Sequence, residues 1–248
     1  MAAKSDQIES GGGISREQVA DDFDRLVDEY EDKINDSLAF SGMEHTFFID
    51  KKREKLVELA AAHFGDLNEI KVLDLGCGLG AYHPGLEGVF GELHGADVSA
   101  KSVALAAENH PFVRYSTISG SRLPYADETF DMVYTVCVMH HVVPAEWGEF
   151  VCEMKRVLRP GGLGLVFEHN PYNPATQYIV RTCEIDKDAV LLRPSRLREL
   201  FRAAGFEAIS TRTVFSVPPI GAALSAIDSV FGRLPFGAQY YLRALRGG

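Results

Sequence analysis

The sequence predicts an α/β protein built on a doubly wound, mostly parallel sheet, and three observations carry that expectation. From Lys71 onward, short runs rich in Val, Ile and aromatic residues alternate with helix-length stretches; strands separated by helices pair in parallel through right-handed crossovers. The first of these strands runs into three closely spaced glycines, Gly76, Gly78 and Gly80, as open sheets do at their carboxyl edge. The last strand follows a short return, so its pairing is expected to be antiparallel.

Residues 1–13 end in three glycines and carry almost no large apolar groups, so they are expected to be a disordered tail. Ser15 with Gln18 fits a capping box, and Val19, Phe23, Leu26, Val27, Tyr30 and Ile34 recur at helical spacing. A second helix is expected from Asp50, as N-cap, to Phe64, with Gly65 at its C-terminal end. These helices form a helical cap over 14–66, ahead of an α/β domain over 67–248. Strands are expected at 71–75, 92–97, 112–117, 130–137, 162–168, 206–216 and 239–245, seven in all. Helices fall near 99–109, 145–158 and 195–204, the last closed by Gly205, and a short apolar helix near 220–234 precedes the final strand.

The chain has 248 residues, 46% hydrophobic, 24% charged and 10% aromatic, which suits one full hydrophobic core and excludes disordered, collagen-like and coiled-coil classes. Its formal net charge is -10. Residues 1–36 hold eleven Asp and Glu against four Lys and Arg, a formal -7, so most of the acidity belongs to the cap and tail. This balance argues against nucleic acid or an anionic membrane as partner. The four cysteines, Cys77, Cys137, Cys152 and Cys183, lack paired spacing and read as free thiols of a reducing compartment. With Lys4, Asp6 and Glu9 where a signal peptide needs apolar residues, and no apolar window near about 18 residues, the expected location is the cytoplasm.

The densest chemical signal is Val72-Leu73-Asp74-Leu75-Gly76-Cys77-Gly78-Leu79-Gly80. Glycines there admit positive φ and let the backbone approach a ligand. The spacing Gly76-x-Gly78-x-x-Ala81 also satisfies the loose dinucleotide fingerprint, so the glycines alone do not separate NAD from S-adenosylmethionine. Asp74 does, because its carboxylate would repel a pyrophosphate but attract the ammonium and sulfonium of S-adenosylmethionine. Its competing role is to tie down the turn. Asp97 ends the second strand, where a carboxylate can accept both ribose hydroxyls; its competing role is to cap the next helix, which Ser99 can also do.

These motifs resemble the class I S-adenosylmethionine-dependent methyltransferases, in particular the small-molecule group. The resemblance covers roughly residues 50–210 and rests on Val72 to Gly80, Gly95-Ala96-Asp97, Leu123-Pro124-Tyr125 with Thr129-Phe130-Asp131-Met132-Val133, His140-His141-Val142, and Leu158-Arg159-Pro160-Gly161-Gly162. It implies a Rossmann-like seven-stranded sheet with an antiparallel last strand, S-adenosyl-L-methionine as cofactor and S-adenosyl-L-homocysteine as product. By the same resemblance Gly76, Gly78 and Gly80, with Cys77 among them, line the methionine moiety. Asp97 holds the ribose, Val98 packs on the adenine, and backbone near Cys137 meets the methionine ammonium. Relatives often carry an acidic residue four positions before Leu123; here Ser119 and Gly120 stand in that region, leaving the hydroxyl or backbone to meet the adenine amine.

Methyl transfer needs alignment of a nucleophile and, for an alcohol or phenol, a base. His140 and His141 follow the fourth strand, and Glu168-His169-Asn170 the fifth. His141, Glu168 and His169 are the catalytic candidates: His141 as base or loop anchor, Glu168 and His169 as an orienting carboxylate and its base or, alternatively, as metal ligands. His140 and Asn170 are expected at the acceptor, with Tyr30, Phe47 and Tyr178 from the cap and the 171–192 insertion. No metal is expected, since Asp74, Asp97 and Glu168 have other roles, and His45, His83 and His110 are expected in ordinary surface or loop positions. The partner is then a small, partly apolar acceptor, methylated on oxygen or nitrogen by a monomer or homodimer. The competing readings are a cofactor-binding protein without transfer activity and an NAD-dependent oxidoreductase.

Overall fold

The computed structural model describes residues 16–26, 33, 45–215 and 237–248. Tyr30, the tail over 1–13 and the apolar helix expected near 220–234 lie outside the described residues. Helix α1 spans Arg16–Leu26. Helix α2 spans His45–Phe64, beginning five residues before the expected N-cap. Asp50 therefore sits inside the helix, where it pairs with Arg53 at 2.6 Å, and Gly65 closes the helix with φ +76°.

The α/β part runs β1 (Lys71–Leu75), β2 (Glu92–Asp97), α3 (Ala100–Asn109), β3 (Arg114–Thr117), β4 (Phe130–Val136), α4 (Trp147–Val157), β5 (Leu158–His169), α5 (Pro174–Thr182), α6 (Pro194–Ala203), β6 (Phe206–Val214) and β7 (Gln239–Arg246). The sheet has seven strands in the order β3-β2-β1-β4-β5-β7-β6. β7 is antiparallel to both neighbours, as the short return implied, and the other pairings are parallel. Strand β5 starts four residues earlier than expected, since Leu158 already pairs with Phe130 before a bulge in the ladder.

Period-2 alternation places alternate side chains of the central strands in two cores. Leu73, Leu75 and Val133 pack with Trp147, Met154 and Phe201 on one face. Val72, Met132, Tyr134, Leu165 and Phe167 pack with Leu56 and Leu59 of α2 on the other. Burial on both faces explains why these strands read as near-continuous apolar runs.

Trp147 links this packing to the loop after β4. It is fully buried, and its indole N–H is shared between the carbonyls of Met139 and Val142, each at 2.9 Å, which flank the two histidines. Trp147→Ala is expected to destabilise the fold by about 3–5 kcal/mol, read as a fall in the urea midpoint. Trp147→Phe keeps most of the packing but loses the N–H, so its smaller loss isolates the loop anchor. Equal stability of the alanine variant and the wild type would contradict this role.

Candidate active site

The strand order reverses between β1, β2 and β4, and a doubly wound sheet opens a crevice at the carboxyl ends of such strands. A cavity of about 770 Å³ lies there, within the size range of small-molecule sites. Gly76, Cys77, Gly78, Asp74, Asp97, Val98, Gly120 and Cys137 all line it. Ser119 is exposed and does not, the adjacent Ile118 lining the cavity instead.

Two glycines of the turn have no substitute. Gly76 has φ +79°, and a Cβ on it would stand 2.5 Å from a methyl of Val138. Gly80 has φ +75° and would meet His83, His110 and the Tyr115 hydroxyl at 2.8 Å. Gly80 is buried and does not line the cavity; it makes room for the support beneath the turn. That support is a polar chain: Asp74 Oδ2 lies 3.1 Å from His83 Nε2, and His83 Nδ1 lies 2.5 Å from Tyr115 Oη. His83 lies in a loop, one of the two positions expected for it, but is fully buried there rather than at the surface.

Asp97 holds both sides of the crevice. Its Oδ2 accepts the Gly78 N–H at 2.8 Å and its Oδ1 the Ser99 N–H at 2.9 Å. Burial raises its carboxyl above the usual range, opposed by these N–H groups. The helix N-cap is Ser99, whose hydroxyl accepts from Ser102 N at 3.0 Å. Asp24 of α1 accepts a hydrogen bond from the same Ser99 hydroxyl, and Val19 reaches the cavity, so the N-terminal helix flanks this end.

Beyond the turn, Cys137 follows β4 with φ +57°. Its thiol lies 3.8 Å from Lys52 Nζ and 3.7 Å from Gln239 Nε2. Burial alone would raise this thiol, but Lys52 and His169 outweigh burial and hold it below the ordinary thiol value. Burial and the carboxylates of Asp97 and Asp74 instead push Cys77 up. Alkylation by iodoacetamide at neutral pH is therefore expected to proceed at Cys137 well before Cys77, with S-adenosylhomocysteine protecting Cys137. Peptide mass spectrometry checks this, and preferential labelling of Cys77 would contradict it.

The far end of the cavity is built from histidines and carboxylates. His140 Nδ1 donates to Glu168 Oε2 at 2.6 Å, and Glu168 Oε1 accepts the Met139 N–H at 2.8 Å. Burial would raise the acid and lower the imidazole; their contact reverses both, leaving Glu168 below and His140 well above the usual values. Asp186 Oδ1 lies 3.5 Å from His140 Nε2 and 3.4 Å from His141 Nε2. Burial and the neighbouring His140 charge keep His141 neutral, its pKa lowered to about 3. His140, His141, His169 and Asp186 line the cavity, whereas the fully buried Glu168 stands behind His140.

Other expected residues fall elsewhere. Glu168 pairs with His140 rather than His169, because neighbours on a strand point to opposite faces. Asn170 is buried, donating to Gly237 O and accepting from Tyr172 N, and does not line the cavity. Phe47 packs edge-on against Phe48, and only Phe48 lines the space. Tyr178 is 58% exposed: on α5 it lies one position from Ile179, which does line the cavity, and one residue turns a helical side chain by about 100°. Lining residues without a sequence assignment include Lys52, Arg53, Asp186 and Gln239, and His45 and His110 line the cavity as well. The basic run Lys51-Lys52-Arg53 within the acidic N-terminal part was the available signal for two of them. Among the described residues no helix is long and apolar enough to cross a membrane.

Residues 73–166 match the Methyltransferase domain family. The chain is 30% identical over 167 residues to the ubiquinone biosynthesis O-methyltransferase of Rhizobium johnstonii, an alignment covering 62% of this chain and 66% of that protein. It thus spans just under two thirds of that relative's length. Its structure is similar to a SAM-dependent methyltransferase, possible histamine N-methyltransferase, of Thermotoga maritima, with TM-score 0.63, 21% identity and coverage of 92% of this chain and 99% of that one. It is also similar to Haemonchus contortus phosphoethanolamine N-methyltransferase 2 in complex with S-adenosyl-L-methionine, with TM-score 0.57, 16% identity and coverage of 79% and 53%. The strand order and the glycine turn agree with the domain match: residues 73–166 form a methyltransferase domain, and the fold and relatives support a class I methyltransferase with S-adenosylmethionine as cofactor.

Proposed function

We propose that the protein transfers the methyl group of S-adenosylmethionine to an oxygen or nitrogen of a small, partly apolar acceptor, releasing S-adenosylhomocysteine. The observation that supports this reading is the continuity of one cavity, from the glycine turn and Asp97 to the polar end at His140, His141 and Asp186. In this reading Asp97 accepts the ribose hydroxyls, Val98 and Ile118 flank the adenine beside Gly120, and Gly76 to Gly78 pass along the methionine. Lys52 and Arg53 offer cations to its carboxylate, while the backbone at Cys137 meets its ammonium. A dinucleotide fits this corner poorly, because like charges about 4 Å apart at an effective dielectric near 20 repel by about 4 kcal/mol, and Asp74 lines the cavity where the pyrophosphate would lie.

The reaction is an in-line displacement. The acceptor's electron pair attacks the methyl carbon, the carbon–sulfur bond breaks, and its electrons leave sulfur as a neutral thioether. The enzyme's main contribution is alignment. For a hydroxyl acceptor a proton must also leave, and His141, which lines the cavity and is held neutral by burial and the neighbouring His140 charge, is the histidine that takes it in this reading. Phe48, Ile49, Ile179 and Ile185 line the cavity and suit an acceptor with an apolar body. The relative named as an O-methyltransferase supports oxygen, and the structural neighbours named as N-methyltransferases support nitrogen.

The test is incubation with methyl-labelled S-adenosylmethionine and a panel of phenols, alcohols and amines. A labelled product is expected, and His141→Ala should cut kcat for a hydroxyl acceptor by about 10²–10⁴-fold without altering affinity for S-adenosylhomocysteine. Cofactor binding with no labelled product across the panel would favour the binding-only reading.

A further inference from the structure

One carboxylate oxygen of Asp186 faces two imidazoles at once, at ion-pair distance from each. At 3.5 Å from His140 Nε2 and 3.4 Å from His141 Nε2, its Oδ1 stands outside the usual range of about 2.7–3.2 Å. Ligand atoms around an ion are spaced this way, since metal–ligand bonds of about 2.1 Å at tetrahedral angles put neighbouring donors about 3.4 Å apart. One ligand atom from each of His140, His141 and Asp186 lies within 4.8 Å of the others, and all three residues line the cavity.

The surroundings match as well. Glu168 Oε2 accepts the Nδ1–H of His140 at 2.6 Å, which leaves Nε2 turned toward Asp186, and a carboxylate behind a histidine is the usual support of a metal ligand. Glu168 is itself fixed by the Met139 N–H. The Val190 N–H donates to His140 O at 2.8 Å, tying the segment that carries Asp186 to the histidine loop. Two imidazoles and one carboxylate form a donor set for a borderline divalent ion rather than for Mg²⁺, which asks for oxygen.

We propose that His140, His141 and Asp186 bind one divalent transition-metal ion, of the Zn²⁺ type, at the acceptor end of the cavity, the Nε2 proton of His140 leaving to solvent as the ion binds, with open positions toward the acceptor. The use of the ion rests on the methyl-transfer reading; its binding does not. A hydroxyl bound to the ion loses its proton to water near neutral pH, and the resulting oxyanion attacks the methyl carbon. The ion then takes over the part given above to His141, which becomes its ligand. The sequence did not point here because Asp186 lies in the insertion after β5, far along the chain from the two histidines.

The experiment uses the full chain, stripped with chelator and titrated with Zn²⁺ by calorimetry and with Co²⁺ by visible absorption, without cofactor or acceptor. One ion per chain and ligand-field bands of a nitrogen–oxygen site are expected. Asp186→Asn and His141→Ala should lose that binding while remaining folded by circular dichroism, and Glu168→Gln should weaken it by about 10–100-fold. Cys152→Ser, which removes an exposed thiol, should leave it unchanged. Failure of the folded wild type to take up one ion, or equal uptake by Asp186→Asn, would overturn the metal site. Either result leaves the methyl-transfer reading to its own assay.

Discussion

Replacing Glu168 by Ala is expected to destabilise the fold by about 3–5 kcal/mol, among the largest single-site losses in the molecule. Glu168 is fully buried, accepts from His140 Nδ1 at 2.6 Å and satisfies the Met139 N–H. Removing one member of a buried ion pair leaves the other uncompensated, and the cost is that of a stranded charge rather than of a lost contact. Glu168→Gln should cost less, since its amide oxygen can still accept one of the two N–H groups. Urea unfolding of the three proteins measures the order. An alanine variant within about 0.5 kcal/mol of the wild type, the usual scale of a surface change, would show that Glu168 does not hold the histidine loop.

Replacing Asp97 by Ala is expected to reduce affinity for S-adenosylhomocysteine by about 10²–10⁴-fold. In the proposed site Asp97 accepts two ribose hydroxyls, and at about 1.5–3 kcal/mol each these supply that range. The Gly78 and Ser99 N–H groups also lose their acceptor, so the turn under the methionine loosens. Asp97→Asn keeps one carbonyl oxygen and should fall between the two. Calorimetric titration reads the series, and an alanine variant that binds as the wild type does would remove Asp97 from the cofactor site.

How much of this was legible in the sequence follows from the range of the forces involved. The strands and glycine turn were legible because alternation, continuous burial and positive φ are local, and the residues that satisfy them stand next to one another. The antiparallel β7 was legible from the short return before it. Helix α2 was started too late because Asp50 makes a good cap in sequence terms, while burial of Ile49 against the core carries the helix back past it. His83 and Asp186 were missed for a different reason. Each acquires its role by meeting a residue from another strand or loop, His83 with Asp74 and Tyr115, Asp186 with His140 and His141. The pairing of Glu168 with His140 rather than with its neighbour His169 is also tertiary. Tyr178 and Asn170 show the converse: residue types suited to a ligand, turned to solvent in one case and engaged by main-chain groups in the other.

The central claim is that the crevice between β1 and β4 takes S-adenosylmethionine and not a dinucleotide. Calorimetry on the full chain with S-adenosylhomocysteine and, separately, with NADH tests it most directly. One S-adenosylhomocysteine per chain, with no heat from NADH, is the predicted result; tight NADH binding with no response to S-adenosylhomocysteine would contradict it.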